Sequence, residues 1–249
     1  MKKLTGNDLQ KIKHLYEKYE SNEPVIFSVF EGQFEGFAYV DDCLNPAWSI
    51  LQTPFLQHFI AGSPTDGCTS LIEDILFNNI LSEQREKELV VFSDSNEWND
   101  KLDCIFQKHK GVSDSRKIFG FSMENYILLK KPMISDDIEI KVVKEKGISV
   151  SLKETWSAKV VLNNKIVSSC SALMVGRNKV EIDISTEEEF RGKGYATMAA
   201  MFLIDKTLED GMTPCWSTWP FREESQHIAK KLGFISMPDV KAWIWMEGM

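Results

Sequence analysis

The sequence lacks the patterns that mark metal-binding and nucleic-acid-binding proteins. No two of its five cysteines stand in a CxxC pattern, so a zinc site is not expected. The net charge is −8, and the sequence contains no dense run of lysine and arginine. Proteins that bind duplex nucleic acid or an anionic membrane surface normally have such a run. We therefore expect no metal, no nucleic-acid partner and no membrane partner.

The chain also lacks a secretory signal and a long apolar run. The first residues, MKKLTGNDLQ, lead into a charged amphipathic segment instead of an apolar one. No uninterrupted apolar stretch approaches the roughly 18–20 residues that span a bilayer. An odd number of cysteines without paired spacing fits reduced thiols. We expect a cytoplasmic protein whose oligomeric state the sequence leaves open.

Length and composition are those of an ordinary globular protein with room for two domains. Of the 249 residues, 43% are hydrophobic and 27% are charged. The best candidate for a boundary is KKPMISDD, residues 130–137, because it holds a proline and a change of charge before a new strand pattern begins. We predict an N-terminal α/β domain over 1–133 and a second domain over 134–249.

In the N-terminal part, apolar spacing predicts three helices and several strands. The residues from Gly6 to Glu20 have helical spacing, and so do TSLIEDILFNNILSEQREKE (69–88) and NEWNDKLDCIFQKHKG, with Gly111 as the expected C-cap. NPAWSILQTPFLQHFIAG predicts two strands split near Thr53-Pro54. ELVVFSD predicts a buried strand, and KIFGFSMENY is a further strand candidate.

The C-terminal part predicts a strand meander followed by alternating helices and strands. Three strands are separated by turns at Asn163-Asn164 and at 176–178, where asparagine tolerates positive φ. A glycine loop, a helix ending at Asp210-Gly211, the strand TPCWSTW, the helix REESQHIAKKLGF and the strand AWIWM follow. The predicted fold class is α/β (α+β), with a mixed, mostly antiparallel sheet flanked by helices.

The loop FRGKGYAT, residues 190–197, has the composition of an anion-binding turn. A glycine-rich turn between a strand and a helix presents several backbone N–H groups to one point, where the helix dipole adds partial positive charge. Gly192 and Gly194 let the backbone approach an anion, while Arg191 and Lys193 add charge. The alternative is a turn that starts a helix and binds nothing, and a single GxG does not decide between them.

Two common phosphate-binding motifs do not fit this loop. The dinucleotide fingerprint GxGxxG would need glycine where Thr197 stands. The P-loop needs serine or threonine after its lysine, but glycine follows Lys193. Both motifs also open a βαβ unit, whereas an antiparallel meander is predicted before this loop.

What matches is RxxGxA, formed by Arg191, Gly194 and Ala196, together with its surroundings. The series EIDIST, FRGKGYAT, PCW and AKKLGF resembles motifs A and B of the GCN5-related N-acetyltransferase (GNAT) superfamily. Within it, the series is similar to the zwittermicin A resistance-like acetyltransferases. The likeness covers about residues 135–249. The N-terminal part is more loosely similar to the extra domain of such proteins, through EGFAYVDD, NPAW and HFIAG, which implies a degenerate GNAT-like half that does not bind the cofactor.

The resemblance implies a GNAT fold with an acetyl-CoA site. The family's pyrophosphate lies on the backbone amides of the loop, and its pantetheine arm pairs with the end of a strand that parts from its neighbour. Transferred to this sequence, the implied acetyl-CoA contacts are Ile184, Ser185, Thr186, Arg191, Gly192, Lys193, Gly194, Tyr195, Ala196, Thr197, Arg222 and Ser225.

The implied reaction is direct transfer of an acetyl group to a primary amine of a small molecule, such as an antibiotic or a metabolite. Such an amine must lose a proton, so a general base is needed. On the strand VEIDIS, Glu181 is the first candidate and Asp183 the second; solvated carboxylates on an exposed face are the alternative. Ser225 is the candidate proton donor or, equally, a residue at a helix start.

Two departures from the family pattern motivate a second hypothesis. Arg222 stands where motif B commonly has asparagine, and no tyrosine follows it in EESQHIAKKLGFISMP. The second hypothesis is a catalytically weak relative that binds acyl-CoA and acts as a sensor or an interaction module.

Overall fold

The computed structural model describes residues 2–84, 87–93 and 95–248. Its strands are β1 (Lys2–Thr5), β2 (Phe37–Val40), β3 (Trp48–Gln52), β4 (Gln57–Gly62), β5 (Glu88–Ser93), β6 (Val112–Phe121), β7 (Ile138–Glu145), β8 (Thr155–Leu162), β9 (Lys165–Gly176), β10 (Lys179–Thr186), β11 (Thr213–Thr218), β12 (Phe234–Ser236) and β13 (Val240–Met246).

The helices are α1 (Glu23–Phe30), α2 (Cys68–Asp74), α3 (Leu81–Glu83), α4 (Asn99–Lys108), α5 (Met123–Ile127), α6 (Tyr195–Glu209) and α7 (Glu223–Lys231). A π-helical stretch, Ile75–Ile80, joins α2 to α3, and 3₁₀ helices span Gly6–Lys11, Lys13–Tyr16, Asn96–Trp98 and Glu188–Phe190. None of the helices in the described residues is both long and apolar enough to cross a bilayer.

Most predicted elements are present, and the differences are local. The helix predicted from Gly6 to Glu20 is wrong in type, because two 3₁₀ helices take its place. The helix predicted over 69–88 ends at Glu83; residues 85 and 86 lie outside the described residues. The strand KIFGFSMENY ends at Phe121, since the Ser122 hydroxyl accepts a hydrogen bond from the Asn125 N–H and caps α5.

The chain packs as two compact units that divide the sequence differently from the predicted boundary after residue 133. Unit 1 comprises Met1–Ser21, Phe34–Arg116 and Val240–Met249. Unit 2 comprises Asn22–Gln33 and Lys117–Asp239. Each unit therefore contains a segment from the other predicted domain.

Unit 1 is a sheet with a helical layer on one face. Its strand order is β1-β2-β3-β4-β5-β13 followed by the first half of β6, antiparallel except between β4 and β5. Both faces of β5 are covered, which explains its continuous apolar run of Leu89, Val90, Val91 and Phe92. The helical face holds a buried cluster that includes Ile50, Ile60, Ile72, Leu76, Trp98, Phe106 and Trp243.

Unit 2 contains the strand meander and the glycine loop. From the second half of β6 its sheet runs β11-β10-β9-β8-β7, and β12 also pairs with β6. The two tight turns between β8, β9 and β10 have positive φ at Asn163 and Asn164 and at Arg177 and Asn178. Helix α6 covers one face, and its core includes Ala158, Val160, Cys170, Val180, Ile182, Leu203 and Trp216.

Helix α1 covers part of the other face of unit 2 and explains why this segment leaves the N-terminal domain. All eight of its residues are buried. The Gln33 side chain, just after the helix, donates a hydrogen bond to Leu173 O at 2.9 Å and accepts one from Val175 N–H at 2.7 Å. Glu23 forms ion pairs with Arg177, at 3.1 Å, and with Lys179. These contacts hold α1 against the β9–β10 hairpin, about 150 residues further along the chain.

Candidate functional site

The candidate site begins where β10 separates from β11. The parallel ladder between them joins Lys179–Glu181 to Thr213–Cys215, and it ends at the pair Glu181 and Cys215. Beyond that pair β10 continues to pair with β9 through Thr186, while β11 pairs with β6 from Trp216 to Thr218. Within the described chain, the edge of β10 that faces β11 has no ladder partner after Glu181. Such an edge can hydrogen-bond an extended amide chain.

The side chains of β10 alternate between two faces as the sequence predicted. Val180 and Ile182 belong to the core under α6, and Ile184 packs against it. The bulge in this hairpin lies in β9, because Glu181 pairs with Met174 and Ile182 pairs with Ala172. The alternation of β10 is therefore kept, and Glu181 and Asp183 lie on the face opposite α6.

Glu181 is a buried carboxylate held by a hydroxyl group from the neighbouring strand. Its residue surface is 9% exposed. The Ser217 hydroxyl donates a hydrogen bond to Glu181 Oε1 at 2.5 Å. Burial of a carboxylate without a donor would be costly, so this hydrogen bond stabilises the ionised group beside the point where the strands part. The hypothesis of a solvated carboxylate does not apply to Glu181.

Asp183 lies two residues further along the same face. Its residue surface is exposed, yet desolvation by the surrounding protein raises the pKa of its carboxyl group above 3.8, and a hydrogen bond from the Ile184 backbone opposes this in part. A carboxylate whose pKa is raised toward neutrality is a better proton acceptor than an ordinary aspartate. Both candidate bases therefore lie on one face of β10, as the alternation of the sequence predicted.

Cys215 also belongs to this face, but its thiol is poorly suited to act as a nucleophile. Desolvation, with a smaller contribution from the nearby Glu181 carboxylate, raises its pKa to about 12. A thiol with such a pKa is almost entirely protonated at neutral pH, whereas the thiolate is the reactive form. This chemistry favours direct transfer over an acyl-cysteine route.

The glycine loop follows β10 and leads directly into α6. Gly192 has φ +75° and Gly194 has φ +85°, so both occupy the left-handed region that favours glycine. A Cβ atom added at either position would meet no protein atom within 4 Å. The glycines are thus required by the backbone conformation, and the space in front of them is open to a ligand.

The start of α6 provides donors toward that open space. The N-cap residue Gly194 offers no side-chain acceptor to the first turn. The first four N–H groups of a helix have no intrahelical partner, and the dipole of this 15-residue helix adds partial positive charge. Tyr195, Ala196 and Thr197 form this first turn, so the loop has the donor chemistry that a phosphate group requires.

Charged residues of both signs surround the loop, with Glu187, Glu188 and Glu189 exposed just before it. Arg191 Nε donates a hydrogen bond to Thr186 O at 3.3 Å, which fixes the cation beside the loop. Glu189 forms an ion pair with Lys165 at 2.5 Å, so its negative charge is compensated. Lys193 Nζ lies 5.0 Å from the centre of the Phe190 ring.

Ser225 and Arg222 lie at the start of α7, away from the face that carries the carboxylates. The Ser225 hydroxyl accepts a hydrogen bond from the Trp216 indole at 3.0 Å. Trp216 belongs to the core on the α6 face, whereas Ser217, the next residue on β11, turns to Glu181 on the opposite face. The structure therefore does not bring Ser225 together with Glu181. Arg222 is exposed, and its guanidinium lies 5.5 Å from the centre of the Phe221 ring.

Ser217 is the residue of this site that the sequence analysis missed. The signal was present in TPCWSTW, because alternation along a strand places Cys215 and Ser217 on one face and Trp216 on the other. What the sequence did not provide was the register of β11 against β10, which brings that face to Glu181. No group of three or more histidine, cysteine, aspartate or glutamate side chains that could hold a metal ion occurs in the parts of the chain that the structure describes.

Comparisons with known proteins bear on the same region. The GNAT acetyltransferase family matches residues 158–242. An uncharacterized N-acetyltransferase of Bacillus subtilis (strain 168), YdfB, is 26% identical over 227 residues, which cover 84% of this chain and 85% of the relative.

Solved structures share the fold over nearly the whole chain. A GCN5-related N-acetyltransferase-like protein from Streptococcus suis 89/1591 has a TM-score of 0.69 at 18% identity and covers 96% of this chain and 98% of its own. A tandem GNAT protein from the clavulanic acid biosynthesis pathway, solved without AcCoA, has a TM-score of 0.64 at 6% identity and covers 100% of this chain and 99% of its own. At these identities the likeness concerns the fold.

Proposed function

We propose that this chain is a GNAT-type N-acetyltransferase, with the family match at residues 158–242, and that it transfers the acetyl group of acetyl-CoA to a primary amine of a small molecule. The donor and the class of acceptor go beyond what the family match and the named relative describe. The narrower likeness to zwittermicin A resistance-like proteins stays a prediction.

One observation carries the proposal. The open edge of β10 and the glycine loop are consecutive in the chain, so one ligand with an amide-containing arm and a diphosphate could contact both. Acetyl-CoA has this chemistry. Its pyrophosphate would be held by the amides of Gly192–Thr197 with help from Arg191 and Lys193, and its pantetheine arm would pair with Ile184–Thr186.

The chain's own residues supply the acid–base chemistry. When bound, acetyl-CoA supplies an activated thioester. A primary amine with an ordinary pKa near 10.4 is neutral in roughly one part in 10³ at pH 7. A base that accepts the proton of the ammonium form allows the remaining amine to react as well. Glu181 is the first choice because it is buried, oriented by Ser217 and adjacent to the open edge. Asp183 is the second choice.

Replacing Glu181 tests this role. We expect Glu181→Gln to lower kcat by roughly 10²–10⁴ while the Kd for acetyl-CoA stays close to the wild-type value, because the carboxylate acts on the amine proton. Glu209→Gln is the control, since Glu209 is an exposed residue at the far end of α6. Steady-state release of free CoA thiol is the measurement, and an unchanged kcat in Glu181→Gln would transfer the role to Asp183.

A titration and a turnover assay separate the two candidate functions. The catalytically weak, acyl-CoA-binding alternative is favoured by Arg222, which is exposed at the start of α7, and by the engagement of Ser225 with Trp216. Isothermal titration with acetyl-CoA measures binding, and thiol release against a panel of primary amines measures turnover. Binding with turnover supports the enzyme, binding without turnover on any amine supports the alternative, and no binding at millimolar acetyl-CoA contradicts both.

A further inference from the structure

We infer that Ser217 is a positioning residue, which holds the Glu181 carboxylate at the place where β10 and β11 part. The inference rests on the proposed function, in which Glu181 accepts the proton of the amine. It adds a residue from the second strand of the split to a site otherwise built from β10 and the loop behind it.

The register of the strands fixes where the hydroxyl group lies. The last pair of the parallel ladder is Glu181 and Cys215, and Ser217 stands two residues beyond it on β11. At about 3.3 Å per residue, its Cα lies about 6.6 Å further along the strand, on the same face as Cys215. A carboxylate that accepts its hydrogen bond is therefore drawn forward, past the end of the ladder and into the opening between the strands.

The backbone that carries Ser217 is held from the other side. Ser217 pairs with Ile118 of β6, and the neighbouring pairs Trp216 with Phe119 and Thr218 with Lys117 complete this ladder. The preceding residue, Trp216, is anchored in the core and bonded to Ser225. The backbone of Ser217 is thus held in the sheet by β6.

The hydrogen bond has a chemical consequence for a proton acceptor. A hydroxyl group that donates to a carboxylate oxygen favours the ionised form, which is the form able to take a proton. Other charged or titratable groups around this face are Lys179 and Asp183 on β10, Cys215 on β11, and Glu23 of α1, which pairs with Lys179. The wild type and the variants at position 217 share all of these groups. A comparison of their activities therefore isolates the effect of the hydroxyl group on the Glu181 carboxylate.

The test compares Ser217→Ala with Ser217→Thr, which keeps a hydroxyl group on a residue suited to a strand. We expect Ser217→Ala to lower kcat by about 10- to 100-fold, less than the whole contribution of a general base. The acidic limb of its pH–rate profile should move to higher pH, because the ionised carboxylate has lost a donor. The Kd for acetyl-CoA and the KM for the amine should stay close to the wild-type values, and Ser217→Thr should restore kcat.

The outcomes distinguish this inference from the proposed function. A wild-type protein that turns over no amine contradicts the proposed function and the positioning role with it. An active wild type whose Ser217→Ala variant keeps both kcat and the pH profile overturns only the role of Ser217. A variant that loses acetyl-CoA affinity in step with kcat, and is not rescued by threonine, also overturns it, because Ser217 would then act through the packing of β11.

Discussion

At the scale of single residues, the site is defined by which carboxylates are desolvated and which are paired. Glu181 is buried and accepts a hydrogen bond from a hydroxyl group. Asp183 is an exposed residue, but the surrounding protein partly desolvates its carboxyl group. Glu189, which directly precedes the loop residues, is instead paired with Lys165, whose hydrogen bond and positive charge lower the pKa of this carboxyl group. The carboxyl groups of these three acidic residues thus differ in burial and in hydrogen-bond partner, although they lie within one short segment.

The raised pKa of Asp183 predicts a dependence of stability on pH. Below 3.8 the carboxyl group is protonated in the folded and the unfolded chain and costs nothing. As the pH rises past that value the unfolded chain ionises first, so this group lowers the free energy of unfolding until the folded form ionises as well. We therefore expect Asp183→Asn to be more stable than the wild type at pH 7.

Urea unfolding of the wild type and Asp183→Asn at several pH values between 4 and 7 is the measurement. The difference in the free energy of unfolding should grow as the pH rises above 3.8 and level off once the folded carboxyl group is ionised. A difference that is constant with pH would mean that desolvation of this carboxylate is not its source.

The raised pKa of Cys215 predicts an unreactive thiol. In native protein at pH 8, iodoacetamide should alkylate the exposed Cys104 well before Cys215, as read by peptide mass spectrometry. Cys215→Ala should keep its kcat, because direct transfer needs no cysteine. Loss of turnover in Cys215→Ala with unchanged acetyl-CoA binding would instead point to an acyl-cysteine intermediate.

At the scale of elements, the glycines illustrate two different requirements. Gly192 and Gly194 are needed for positive φ and face open space. Gly176 is needed for room, because a Cβ there would lie 2.7 Å from the backbone carbon and the Cβ of Phe27 in α1. The sequence showed a turn at 176–178, but the left-handed residues are Arg177 and Asn178.

Replacing Gly176 should therefore weaken the packing of α1 on the hairpin. We expect Gly176→Ala to lower the free energy of unfolding by about 1–3 kcal/mol, the usual cost of overpacking. Gly147→Ala is the matched control in the same unit, since its Cβ would lie 3.6 Å from the nearest atom, Leu173 Cδ1. Urea unfolding monitors both variants, and equal stability of the two would contradict the close approach of α1.

Much of unit 2 could be predicted from the sequence because its signals are local. The strands β8, β9 and β10, their asparagine turns, the glycine loop and helix α6 follow from alternation, turn residues and helix-start chemistry. Gly111, expected as a helix C-cap, is different: Lys110 holds the left-handed conformation, and a Cβ on Gly111 would lie 2.8 Å from Ile244 O. That constraint comes from a strand more than 130 residues away, which no local pattern reveals.

At the scale of the whole molecule, the fold class is confirmed and the division of the chain is more interleaved than predicted. The GNAT neighbours cover nearly all of the chain, and one of them is a tandem GNAT protein, which supports two GNAT-like parts. Each compact unit nevertheless contains segments from both sides of the predicted boundary. The segment 22–33 belongs to unit 2 and the C-terminal strand β13 to unit 1. Proline, charge and turn signals locate linkers, but they do not show which sheet a strand will join.

In the proposed function the loop at 190–197 binds the diphosphate of acetyl-CoA, and Gly194→Asp is the variant that tests this binding. The substitution places a side chain and a negative charge in the open space before α6. Gly211→Asp is the matched control, because Gly211 follows the other end of α6, has φ +72° and also faces open space. In each variant, aspartate at a position with positive φ lowers the free energy of unfolding by about 1 kcal/mol.

Isothermal titration of folded wild type, Gly194→Asp and Gly211→Asp with acetyl-CoA is the deciding measurement. We expect the wild type and Gly211→Asp to bind with similar affinity, while Gly194→Asp shows no binding at millimolar acetyl-CoA. Wild-type affinity in Gly194→Asp would contradict a diphosphate site at this loop.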